Sequence, residues 1–139
     1  LSAEQKNKLR DTYYLPYRRN IKKTAHALAP VIHLSVHSFT PELDGRVRDV
    51  DIGLLYDPKR QAEKELARRW KQNIPKTYRT RMNKPYLGIS DGLIPALRQE
   101  LPPSEYVGIE LEVNQQILTI SKQADEIEQA LADSLKKVL

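Results

Sequence analysis

At 139 residues, with 40% hydrophobic and 29% charged side chains, the chain can bury one ordinary core and is not disordered. It has no cysteine, which excludes disulfides, a thiolate nucleophile and a cysteine-based zinc site, and suits a reducing, cytoplasmic compartment. The net charge of +5 suits an anionic small molecule; no nucleic-acid-binding motif accompanies it, and no apolar run is long enough to span a membrane.

The chain opens on Leu1, not methionine, and its first residues already read as the start of a helix. That start is a capping box, in which Ser2 caps and Gln5 reaches back. The helix is expected to run to about Ala29, with a kink or break near Tyr14 and Leu15 because Pro16 removes a donor. Ile21, Ala25 and Leu28 supply an apolar stripe, and Pro30 ends the element.

A strand follows at about 31–37. Ile32, Leu34 and Val36 share one face, and Val31, His33, Ser35 and His37 share the other. Residues 38–49 read as a loop. Residues 51–56 are largely apolar and predict a strand buried on both faces. Asp57 and Pro58 suit a helix cap and first position, with the helix running to about Asn73. Residues 77–82 alternate as a third strand. A loop at 83–92 and a short helix at 93–100 follow, with Ser90 or Asp91 as its cap.

Residues 106–113 alternate strongly, with Val107, Ile109, Leu111 and Val113 on one face and Gly108, Glu110 and Glu112 on the other. Ile120, Ala124, Ile127, Leu131, Leu135 and Val138 stripe a final helix, which can pack on the sheet or form a homo-oligomer seam. Strands alternating with helices, without a repeat or a linker, predict one α/β domain over 1–139.

Two glutamates side by side on one strand face are unusual in a sheet, because a buried charge must be paired or working. An edge strand with a solvated acidic face, or pairing to some of the many arginines, would account for them without chemistry. Among the histidines, His33 and His37 are four residues apart on a strand, roughly 13 Å at about 3.3 Å per residue, so they cannot share one ion. His26, on a helix, reads as a surface or packing residue. His37 is left as the metal candidate, with a glutamate near it as a general base. Ser35, Ser38 and Ser90 lack a nucleophile elbow, and residues 88–92 lack phosphate-loop spacing.

The segments Tyr14-Leu-Pro-Tyr-Arg18, His37-Ser-Phe-Thr-Pro41, Asp51-Ile-Gly-Leu-Leu-Tyr-Asp-Pro58, Asn83-Lys-Pro-Tyr-Leu-Gly-Ile-Ser-Asp-Gly92 and Gly108-Ile-Glu-Leu-Glu-Val-Asn-Gln115 together resemble the N-formylglutamate amidohydrolase family, in the family's order. The resemblance implies a three-layer α/β/α fold with a mixed central sheet, like that of the zinc carboxypeptidases and aspartoacylases. It implies Zn2+-assisted hydrolysis of the amide of an N-acyl amino acid, with formate and glutamate as products from N-formylglutamate. His37 matches a metal ligand. Glu112, in preference to Glu110, matches the catalytic base. Arg48 or Arg18 is expected to hold a substrate carboxylate.

The family's first metal motif, a histidine with an acidic ligand, and its Asn-Arg substrate motif precede the segment matched here. This chain therefore reads as the C-terminal part of the domain, incomplete at the N-terminus and inactive alone, with a missing N-terminal segment supplying further ligands. The alternative is an inactive binding or interaction protein that retains the fold.

Overall fold

A computed structural model describes residues 1–139. Its centre is a mixed four-stranded sheet. Strand β1 (Val31–Phe39) pairs in parallel with β6 (Tyr106–Asn114); β6 pairs antiparallel with β4 (Ile52–Leu55); β4 pairs in parallel with β5 (Thr80–Met82). A two-residue hairpin, β2 (Glu42–Leu43) and β3 (Arg46–Val47), lies in the segment expected to be a plain loop. Its turn is Asp44-Gly45, both at positive φ, a pair that such a turn favours.

Helices cover both faces, as the alternation in β6 requires. On one face Ile109, Leu111 and Val113 join Ile52 and Leu54 and pack on Leu66, Ala67 and Trp70 of α3 (Gln61–Asn73) and on Ile127 and Leu131 of α6 (Ser121–Lys136). Within this core the Trp70 indole N–H donates to Ser134 Oγ at 2.9 Å. On the other face Tyr106 packs with Ala25 of α2 (Leu15–Leu28) and with Ile94 and Leu97 of α4 (Leu93–Glu100). A short α5 (Gln115–Leu118) intervenes between β6 and α6.

Most elements stand where their residues predict, with differences at the ends. The capping box of α1 (Ala3–Leu9) is present, Ser2 Oγ accepting from Gln5 N and Gln5 Oε1 from Ser2 N. Pro16 does not break the rod: a π-helical stretch, Arg10–Tyr14, precedes α2, and the widened turn takes up the proline. Helix α3 starts at Gln61 rather than at Pro58. Asp57 Oδ1 accepts from Lys59 N in a local turn, and the Arg60 side chain is drawn inward to three carbonyls. Gly92, not Ser90 or Asp91, stands at the start of α4. The strand expected at 77–82 shortens to three residues, and β1 and β6 each run further than their alternation predicts.

Candidate active site

The decisive geometry is the parallel register of β1 on β6. It sets Ser35 beside Glu110 and His37 beside Glu112. Residues at paired positions share a face, so His33, Ser35 and His37 lie over the same surface as Gly108, Glu110 and Glu112. Strand β6 is interior, flanked by β1 and β4. The edge-strand account of the two glutamates therefore fails; the edge strands are β1 and β5. Neither glutamate forms an ion pair, so pairing with arginine does not account for them either.

Glu112 is 6% exposed, and its Oε2 is buried with no hydrogen-bond partner. Such an atom carries a desolvation cost that a water, a cation or a donor would relieve. Burial raises the pKa of Glu112, Glu110 adds to the rise, and His37 and Arg48 oppose it. Glu110 is raised as well, again by burial first, with His37 and Arg98 opposing. Raised carboxylates beside an imidazole are the condition a general base requires.

The floor beside Glu112 is built by glycine. Gly53 is paired with Glu112, and a Cβ there would fall 2.1 Å from Lys84 O and 3.2 Å from Glu112 Cβ. The segment 83–92 can thus lie directly on the sheet. Asn83 Oδ1 accepts from Tyr56 N and Gly88 N and pins this segment to the end of β4.

Each predicted residue has a place. His37 is exposed, and its Nε2 lies 2.8 Å from Ser35 Oγ, which leaves Nδ1 without a protein partner. His33 is engaged elsewhere: Nδ1 is 2.7 Å from Tyr106 Oη, and burial lowers its pKa. His26 meets Glu100 at the surface. Arg48 is held over the rings of Phe39 and Tyr86, with Nη1 donating to Tyr86 Oη at 2.9 Å. Its charge acts on Glu112. Arg18 donates to Tyr14 Oη at 2.8 Å and to Gly92 O at 3.4 Å. Gly92 in turn borders Glu110, since a Cβ on it would lie 3.5 Å from Glu110 Oε1. Arg48 thus acts on Glu112, whereas Arg18 reaches only the backbone of Gly92, and the guanidinium that acts on Glu110 is Arg98.

A zinc ion of the catalytic kind takes about three protein ligands. The orphaned oxygen of Glu112 and the free Nδ1 of His37 suit a cation, yet no three His, Cys, Asp or Glu side chains cluster to hold one. The residues of this chain do not make a zinc site by themselves.

Sequence reasoning missed Ser35 as the partner of His37 and Tyr86 as the partner of Arg48. The first has a local signal, since Ser35 and His37 are two residues apart on one strand face; the second joins two loops and has none. The largest groove, about 860 Å³, is on the opposite face, lined by Leu34, Val36, Trp70, Leu111 and helix α6, and touches the site only at His37 and Ser38.

No curated protein matches the chain. Its fold is similar to the crystal structure of gene product Atu2144 from Agrobacterium tumefaciens, at a TM-score of 0.70 and 22% identity, over 99% of this chain and 56% of that one. The chain thus spans little more than half the length of that protein. The sequence model of N-formylglutamate amidohydrolase matches residues 1–119, a stretch that holds His37, Arg48, Glu110 and Glu112, and the chain belongs to that family.

Proposed function

We propose that this chain supplies the base and substrate-holding half of a zinc-dependent amidohydrolase acting on N-acyl amino acids such as N-formylglutamate. The observation that carries the reading is Glu112: an unpaired, desolvated carboxylate on an interior strand, directly beside His37. Glu112 takes a proton from the attacking water and later returns it to the leaving amine. Its raised pKa makes it the stronger base for the first transfer.

Arg48 holds a carboxylate of the amino-acid part through donors that its contacts with Tyr86 and Thr40 leave free. On this reading Arg18, whose guanidinium reaches the carbonyl of Gly92, is the second cation available to a substrate with two carboxylates. His37 is the zinc ligand this chain offers, and the remaining ligands come from a segment outside it. When bound, zinc polarises the scissile carbonyl and acidifies water. On this reading the layering is that of the zinc carboxypeptidases and the setting is cytoplasmic.

The test is zinc content and formate release from N-formylglutamate by the product of the whole gene. Glu112→Gln should lower kcat by roughly 10²–10⁴-fold with zinc retained. His37→Ala should lose zinc. A protein that binds no zinc and hydrolyses no N-acyl amino acid would be the binding-protein alternative.

A further inference from the structure

Strand β4 stops at Leu55, opposite Glu110. Beyond that point the β4-side backbone of β6 has no strand partner, and its buried polar groups must be satisfied in another way. Three side chains do it. Glu63 Oε1 accepts from Gly108 N at 3.1 Å, Arg98 Nη2 donates to Gly108 O at 3.1 Å, and Arg60 Nη1 donates to Tyr106 O at 3.2 Å.

Glu63 and Arg98 are also a buried ion pair. Arg98 Nε and Nη2 reach the two Glu63 oxygens at 3.0 and 2.8 Å, with side chains 6% and 0% exposed. Glu63 Oε2 accepts from Asp57 N as well, at 2.9 Å. Arg98 Nη1 donates to Gly88 O. One pair of charges therefore ties together α3, α4, the turn after β4, strand β6 two residues before Glu110, and the middle of segment 83–92. That segment carries Tyr86, whose hydroxyl and ring hold Arg48. Gly88 lies so close to the end of β4 that a Cβ would fall 2.2 Å from Tyr56 N, so its position has little latitude.

We propose that Glu63 and Arg98 are positioning residues of the candidate active site: by standing in for the missing part of β4, they set the segment 83–92 on the sheet and so aim Arg48 through Tyr86. The proposal rests on the reading that Arg48 holds a substrate carboxylate. It goes beyond bulk stability, because the fan of bonds needs the planar fork of arginine. A lysine keeps the charge but cannot reach Glu63, Gly88 and Gly108 together.

The experiment is Arg98→Lys in the full-length protein, read by site-resolved amide hydrogen exchange and by the kinetics of N-formylglutamate hydrolysis. Loss of one or two buried bonds should accelerate exchange at residues 86–90 by about 10- to 100-fold, with Ile109 and Leu111 changed by less than about threefold. KM should rise about tenfold while kcat stays within about threefold. Glu63→Asp, which keeps the charge and shortens the reach, is the second variant in case the first does not fold. Uniform acceleration across the sheet, or none at 86–90, overturns the proposal. So does a loosened segment with KM unchanged, and that outcome leaves the amidohydrolase reading intact. Absence of any hydrolysis by the wild type defeats the proposed function instead, and exchange alone then decides whether the pair holds the segment.

Discussion

His37 on β1 and Glu112 on β6 stand at paired positions of a parallel ladder, on the face that α2 and α4 only partly cover. In a parallel pair such neighbours are held by backbone hydrogen bonds on both sides, so their spacing does not depend on side-chain packing. The acid and the imidazole are thus built into the sheet, while Arg48 acts on Glu112 from a loop.

The cost of ionising Glu112 should be visible in stability. An unperturbed glutamate titrates near pH 4.3, and burial raises Glu112 above its ordinary value. The folded state then binds the proton more tightly than the unfolded one. The penalty is absent below the unfolded value, grows as pH rises through the window up to the folded value, and is complete above it. Glu112→Gln, neutral throughout, should stabilise the metal-free protein at neutral pH, with the gain vanishing below about pH 4. Thermal melts of both proteins in chelator across this range make the measurement; a pH-independent difference would contradict it.

Arg48 and Tyr86 should separate in kinetics. Arg48→Lys keeps a charge but loses the planar fork and its stacking on Phe39 and Tyr86. KM for N-formylglutamate should rise about 10- to 100-fold with kcat changed much less. Tyr86→Phe removes only the hydroxyl bond and should cost a few-fold at most. Equal effects of the two, or a loss confined to kcat, would remove Arg48 from the role of carboxylate anchor.

Gly53→Ala places a methyl 2.1 Å from Lys84 O. Segment 83–92 must then lift from the sheet beside Glu112. A destabilisation of about 1–3 kcal/mol is expected from such overpacking, measured by urea denaturation. A melt identical to that of the wild type would mean that the segment is not seated against Gly53.

Ser134→Ala tests the core on the other face. It leaves the buried Trp70 indole N–H without its acceptor. The expected loss is about 1–3 kcal/mol, with a shift in tryptophan emission and no effect on KM. A loss of activity at constant stability would show that the two faces are coupled.

Several features were legible because their signals are local. The alternation of 106–113 places four apolar residues toward α3 and α6 and both glutamates on the opposite face, as observed. Distance along a strand removes His33 as a co-ligand of His37, and the structure binds it to Tyr106 instead. The stripe of the last helix is buried at Ile127 and Leu131, while Val138 is buried just past the helix end and Ile120, expected to start the stripe, is exposed ahead of it. Where the reading failed, a remote contact won. Helix α3 starts late because Arg60 is drawn to carbonyls of α4 and β6. The strand at 77–82 shortens because residue 78 closes a turn on Pro75.

The sequence by itself determined the period of each element, the two faces of β6, the family and the short set of groups able to do acid–base chemistry, since these depend on residue type and near-neighbour spacing. Only the tertiary structure decided that β6 is interior and β1 an edge, that His37 stands at a paired position with Glu112, and that Glu63 and Arg98 finish the sheet where β4 stops. Strand order and register arise from contacts between residues far apart in the chain, and no local pattern encodes which strand will lie beside which.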